Sequence, residues 1–260
     1  MDLDLRGKAA IVTGGSRGIG RGIAMRLAQE GMDIAIAARD ARQLQRVKAE
    51  IEGPGRRILV QVGDLLESGA CQTLVGAAAE AFGRIDLVIN NAGATKRGDF
   101  LKLSDDDWAS GFGLKFMAAV RVSRAAWPHL VRTNGAILNI AGVGARAGNA
   151  EFTIGGSVNS AMMNLTKALA DRGVKDGVRV NAINPGSIVT DRLTLRVERA
   201  MAEHKLSYDD AYNRLLAETG VARFGTVDEI ATAVAFLASR HAAYFQGALI
   251  DIDGGWTRAL

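Results

Sequence analysis

The chain has 260 residues, 48% apolar and 23% charged, with a formal charge of +4. That apolar content supports a large buried core and excludes a disordered chain, while basic residues scattered without a long run argue against nucleic-acid binding. A single Cys71 excludes an intrachain disulfide, His129, His204 and His241 are too far apart for metal-ligand spacing, and no leader or membrane-length apolar run is present, so a cytoplasmic protein without metal or membrane contact is expected.

Apolar runs alternate with helical periodicity along the length. Strands are expected at 8–13, 33–38, 57–62, 86–90, 136–140, 178–183 and 248–252. Helices are expected at 18–30, 41–52, 67–82, 104–132, 153–175 and 228–239. Ser104 is the expected N-cap of the long helix over 104–132, with Asp105, Asp106 and Asp107 at its positive end. Continuous apolar strands separated by helices predict an α/β fold. Its seven-stranded parallel sheet is doubly wound, with helices on both faces and ligands at the carboxyl ends of the strands. The segment 187–223 interrupts the alternation with charged helical stretches. Its place after a strand suits either a substrate lid or a solvated helical hairpin.

The most informative stretch is Thr13-Gly14-Gly15-Ser16-Arg17-Gly18-Ile19-Gly20. A strand leads into it and a helix leads out. Glycines there permit positive φ and close backbone approach, and the unpaired N–H groups of the first helical turn attract an anion such as a pyrophosphate. A carboxylate ending the second strand would accept from a ribose 2′-OH and repel a 2′-phosphate. This strand ends Ala38-Arg39-Asp40. Arg39 with Arg17 suits a phosphate dianion such as a ribose 2′-phosphate, although Asp40 is also placed to contact a ribose.

Five motifs in order resemble the short-chain dehydrogenase/reductase family over nearly the whole chain. They are the Gly-rich turn, Asp64-Leu65, Asn90-Asn91-Ala92-Gly93, Asn184-Pro185-Gly186 with Thr190, and Asp253-Gly254-Gly255. The resemblance implies a single Rossmann-like domain, a nicotinamide dinucleotide, a small-molecule substrate and a homo-oligomer, tetramer or dimer; with Arg39 and Arg17 placed for a 2′-phosphate, NADP(H) is favoured over NAD(H). It implies cofactor contacts from Gly14, Ser16, Arg17, Gly18, Ile19 and Gly20, then Arg39, Asp64 and Leu65. Further contacts are implied for Asn91, Ala92, Gly93, Asn159, Pro185, Gly186, Ile188 and Thr190.

The resemblance breaks at the chemistry. The family moves the proton with a Tyr, tunes it with a Lys four residues later, and adds a Ser and an Asn. No Tyr-x-x-x-Lys exists here, since Tyr208, Tyr212 and Tyr244 are followed four residues on by Tyr212, Leu216 and Ala248. Registering the helices and the fifth strand on the family pattern puts Gly155 at the Tyr position, Asn159 at the Lys, Gly142 at the Ser and Lys115 at the Asn. The two glycines remove both hydroxyls, and the Tyr-to-Gly change implies a void beside the nicotinamide. The other two positions exchange Asn and Lys reciprocally, which would keep one ammonium and one carboxamide in the site. Lys115 and Asn159 are therefore the candidate catalytic pair, with Asn159 also on the ribose. Alternatively, Lys115 fills space or pairs with a carboxylate. Lys96, Arg97 and Arg146 are expected to rim the pocket and favour an anionic substrate, partly offset by Glu151.

Three functions follow. The first is an atypical NADP(H)-dependent oxidoreductase acting on a carbonyl or alcohol. The second is a non-catalytic dinucleotide-binding sensor or structural protein. The third, non-redox elimination or hydrolysis, has little use for an intact cofactor turn.

Overall fold

The computed structural model describes residues 1–258. Seven parallel strands form one sheet in the order β3-β2-β1-β4-β5-β6-β7. They are β1 (Ala9–Thr13), β2 (Asp33–Ala38), β3 (Ile58–Val62), β4 (Leu87–Asn90), β5 (Ala136–Ile140), β6 (Arg179–Pro185) and β7 (Leu249–Ile252). The expected strands agree within two residues at each end.

Alternation along the central strands builds two apolar layers. Ala10 and Val12 of β1, Ile34 and Ile36 of β2, and Leu87 and Ile89 of β4 enter one layer. Ala9 and Ile11, Ala35 and Ala37, and Val88 enter the other. Helices α1 (Gly18–Gln29) and α2 (Ala41–Ile51) cover the first layer, through residues such as Ile23, Leu27, Leu44 and Val47. Helix α3 (Ser68–Phe82) covers the second through Leu74 and Val75. Because both faces are covered, the strands read as unbroken apolar runs rather than alternating ones.

The expected single helix over 104–132 is interrupted. Helix α4 (Asp105–Phe112) passes through a π-helical turn, Gly113–Met117, into α5 (Ala118–Thr133). The Ser104 cap is present as a reciprocal box. Its hydroxyl accepts from Asp107 N at 3.2 Å, and the Asp107 carboxylate accepts from Ser104 N at 3.0 Å. A π turn inserts one residue without changing the apolar pattern enough to be read from sequence, and such turns gather at functional sites. Lys115 stands in the middle of this one.

Helix α6 (Thr153–Asp176) follows β5, and α7 (Asp191–His204), α8 (Tyr208–Thr219) and α9 (Val227–Ala238) complete the α-helices among the described residues. Helices α7 and α8 form the inserted hairpin. Leu193, Val197, Ala200, Ala211, Leu215 and Phe224 give it an apolar cluster of its own. Among the described residues no helix is long and apolar enough to cross a membrane, and no group of three metal-ligating side chains is present.

Candidate active site

The strand order reverses about β1, so the carboxyl ends of β1 and β4 open a crevice between outward-running connections. Thr13 ties the two strands together there. Its hydroxyl donates to Ile89 O at 3.1 Å and accepts from Asn91 N at 2.9 Å and Ala92 N at 3.0 Å. The Asn91 amide donates to Thr13 O at 2.9 Å and to Gly14 O at 3.2 Å. These bonds fix the Gly-rich turn against the Asn91-Ala92-Gly93 segment.

The turn needs its glycines. Gly14 has φ +66° and Gly18 has φ +53°. A Cβ on Gly14 would lie 3.0 Å from Ala92 Cα, and one on Gly20 only 2.2 Å from Gly14 O. Ser16 and Ile19 complete the turn, both half-buried. Arg17 occupies the N-cap position of α1 in extended conformation and offers no side-chain cap, so the first N–H groups of α1 lack a side-chain acceptor. Thr190 closes the opposite side, its methyl carbon 3.6 Å from where a Gly18 Cβ would stand. Gly186 abuts the C-terminal turn, where a Cβ would meet Asp253 Cα at 2.8 Å. Pro185, Ile188 and Leu65 are buried.

Beyond the end of β2, the Arg39 side chain is 70% exposed, with its guanidinium 3.8 Å from the Asp64 carboxylate. Asp40 is engaged locally. It caps α2 by accepting from Gln43 N at 3.0 Å. Burial first, and the Arg17 charge second, draw the Arg192 pKa down.

Lys115 and Asn159 are brought together. The Lys115 ammonium donates to Asn159 Oδ1 at 2.6 Å and to Ala141 O at 2.6 Å. Its alkyl chain lies along Gly93, where a Cβ would meet Lys115 Cδ at 2.9 Å. Asn159 is 3% exposed. Burial first, and the nearby Arg192 charge second, draw the Lys115 pKa down to about 7. No carboxylate pairs with Lys115 among the described residues, which removes the ion-pair alternative.

The void expected at Gly155 is not there. Phe152 fills it, for a Cβ on Gly155 would lie 2.0 Å from the Phe152 ring and one on Gly144 2.8 Å from it. Gly142, at φ +147°, faces the Asn159 amide, 2.9 Å from where its Cβ would be. None of the three tyrosines hydrogen-bonds to this cluster. Tyr208 and Tyr212 stack on each other at 6.4 Å, and Tyr244 is fully exposed.

The rim differs from the expected one. Lys96 pairs with Asp107 at 2.9 Å and Arg146 with Asp251 at 3.2 Å, so both charges are answered. Arg97 remains, its guanidinium 4.1 Å over the Phe152 ring. Helix α7 adds two arginines that sequence reasoning missed. Arg192 donates to Gly93 O, and Arg196 donates to Ser187 Oγ at 3.2 Å. Their only advance signal was the four-residue spacing on an amphipathic helix next to Thr190.

A family model described as enoyl-(acyl carrier protein) reductase matches residues 14–257. An uncharacterized oxidoreductase of Mycobacterium tuberculosis is 34% identical over 252 residues, 96% of this chain and 92% of its own length. The 3-oxoacyl-(acyl-carrier-protein) reductase of Chlamydia pneumoniae is 30% identical over 258 residues, covering 99% of this chain and 100% of its own. Among solved structures, L-sorbose reductase from Gluconobacter frateurii, complexed with NADPH and L-sorbose, superposes with a TM-score of 0.95 at 30% identity, covering 100% of both chains.

Proposed function

The chain belongs to the short-chain dehydrogenase/reductase family and is an NAD(P)-dependent oxidoreductase, and from that premise we propose that it works by an altered proton relay centred on Lys115. The observation that carries this reading is the Lys115 ammonium held between Asn159 Oδ1 and Ala141 O, both at 2.6 Å. Two of its three protons are committed to those acceptors, which leaves one for a substrate oxygen. A pKa near 7 lets the same nitrogen act as acid for a carbonyl or as base for an alcohol at neutral pH.

The residues of the crevice fit a dinucleotide, as the two Cβ collisions in the Gly-rich turn and the uncapped start of α1 indicate. The turn residues Gly14, Ser16, Arg17, Gly18, Ile19 and Gly20 would hold the pyrophosphate side. Asp64 and the Leu65 backbone would hold the adenine, and Asn91, Ala92, Gly93 and Asn159 the nicotinamide ribose. Pro185, Gly186, Ile188 and Thr190 would flank the nicotinamide. When bound, the cofactor supplies or accepts the hydride, and the protein supplies orientation and charge. NADP(H) is preferred over NAD(H), because Arg39 and Arg17 are cations at the open end and Asp40 is spent on its helix cap. The solved relative carrying NADPH supports the same preference.

In this mechanism Asn159 fixes the ammonium through its carbonyl oxygen, and the Gly93 backbone supports the alkyl chain. Gly142 leaves room for the Asn159 amide. Phe152 takes the volume beside Gly155 with an apolar ring, excluding water from the Lys115 side of the pocket. The hairpin of α7 and α8 serves as the substrate lid, hinged at Ile188 and Gly225, which bridge in parallel. Replacement of Lys115 by Met tests the relay: turnover with a panel of carbonyls disappears if Lys115 moves the proton, and unchanged turnover rejects it.

Assembly is part of the same reading. A groove of about 440 Å³ between α5 and α6, lined by Val120, Trp127, Leu165 and Leu169, suits a second copy of this chain.

A further inference from the structure

The substrate end of the cleft has a feature that hydride transfer does not use. Arg97 lies on the loop after β4, and that loop is stapled to the segment before α6 by Gly98 N donating to Glu151 O at 3.0 Å. The Arg97 guanidinium lies over Phe152, with 4.1 Å from guanidinium carbon to ring centroid. Arg196 approaches from α7, its guanidinium anchored on Ser187 Oγ at 3.2 Å. Among the described residues neither forms an ion pair, whereas Lys96 and Arg146 on the same rim both do. Arg97 feels the positive charges of Arg196 and Arg199 on α7. Burial, and then the Arg196 charge, push the Arg97 pKa down, and burial does the same to Arg196. Glu151 opposes this at Arg97 and Glu218 at Arg196, neither of them as an ion pair. Arg97 is exposed and Arg196 half-buried, and the repulsion between two like charges is relieved when an anion joins them.

We propose that Arg97 and Arg196 clamp a carboxylate on the substrate, so that this oxidoreductase acts on an oxo acid or hydroxy acid. Guanidinium groups offer planar pairs of N–H donors that match carboxylate geometry. The cation–π contact of Arg97 with Phe152 already restricts its side chain, which lowers the entropy lost on engagement. Phe152 links the clamp to the reaction centre, because the same ring touches both Arg97 and the Gly155 position beside Asn159. A substrate gripped there would present its oxygen towards Lys115. The proposal deepens the reading of the cleft as an oxidoreductase site and rests on it.

The test is calorimetric and needs no turnover. The full chain saturated with NADP⁺ is titrated with small aliphatic and aromatic carboxylates and with the corresponding neutral amides. At least one carboxylate should bind tenfold or more tightly than its amide. Arg97→Gln and Arg196→Gln should each abolish that preference while leaving NADP⁺ affinity within about twofold, which also reports that the variants fold. Arg97→Lys, which keeps the charge but not the fork, should restore only part of it. Equal binding of carboxylates and amides, or a preference that survives both Gln variants, would overturn the clamp while leaving the cofactor reading intact. A chain that fails to bind NADP⁺ overturns the reading of the cleft and the clamp with it.

Discussion

Lys115 gives the sharpest test, because its two hydrogen bonds and its lowered pKa make a signed prediction. With the folded-state value at about 7, roughly nine-tenths of the ammonium is charged at pH 6 and one-tenth at pH 8. Carbonyl reduction needs the charged form, so kcat/KM should fall about tenfold between those pH values. Alcohol oxidation needs the free amine and should rise by the same factor. Lys115→Met removes the group, so reduction at pH 6 should drop by about 10²–10⁴ and lose its pH dependence. NADPH affinity, followed by nicotinamide fluorescence, should stay within a few-fold. Asn159→Asp would place a carboxylate where the carboxamide oxygen now accepts at 2.6 Å. That substitution should raise the Lys115 pKa by about one to three units and carry the descending limb to higher pH. The assay is NADPH absorbance against a carbonyl panel from pH 5.5 to 9.5. Unchanged turnover in Lys115→Met, or a limb that Asn159→Asp fails to move, would refute the reasoning.

Four further outcomes are expected. Lys115 titrates at about 7 when folded and near 10.5 when unfolded, so between those values the unfolded chain binds more protons and stability rises with pH. The melting temperature from pH 7 to 9 should therefore climb more for the wild type than for Lys115→Met, as differential scanning fluorimetry will show. Gly155→Ala puts a Cβ 2.0 Å from the Phe152 ring and should cost about 1–3 kcal/mol, with a double-mutant cycle against Phe152→Ala returning most of it. Arg39→Ala should weaken NADPH binding by about 10- to 100-fold, the loss of a charge-assisted contact worth roughly 1.5–3 kcal/mol, and leave NADH binding unchanged in fluorescence titrations. Leu165→Glu, in the groove between α5 and α6, should reduce the solution mass measured by light scattering.

Much of this molecule is legible in the sequence because periodicity reports burial directly. β1 and β2 are covered on both faces, and their unbroken apolar runs can be read as little else. Ser104 and its acidic neighbours announce a helix start whose cap forms as expected. The crevice is legible for a related reason, since positive φ and close approach leave glycine as the only choice at Gly14 and Gly20. What the sequence conceals are events that leave no periodic trace. The π turn carrying Lys115 adds a residue within an unbroken helical pattern. Phe152 reads as wall or core, yet its ring enters the space of a residue three positions later. Arg146 and Lys96 look like Arg97 in sequence, and only the placement of Asp251 and Asp107 separates answered charges from the unanswered one. Arg196 belongs to an insertion whose approach to the rim is set by tertiary packing.

The ring of Phe152 against Gly155 binds two positions into a single hereditary unit. A larger side chain at 155 collides with the ring, and a smaller one at 152 opens a hole and unseats Arg97. Neither position can change first without loss, so the pair should travel together through descent. Chains with glycine at the position of Gly155 should carry a bulky aromatic three residues before it, and chains with a tyrosine there should not. A survey of related sequences would find this as covariation, with the arginine at position 97 following the aromatic rather than the glycine.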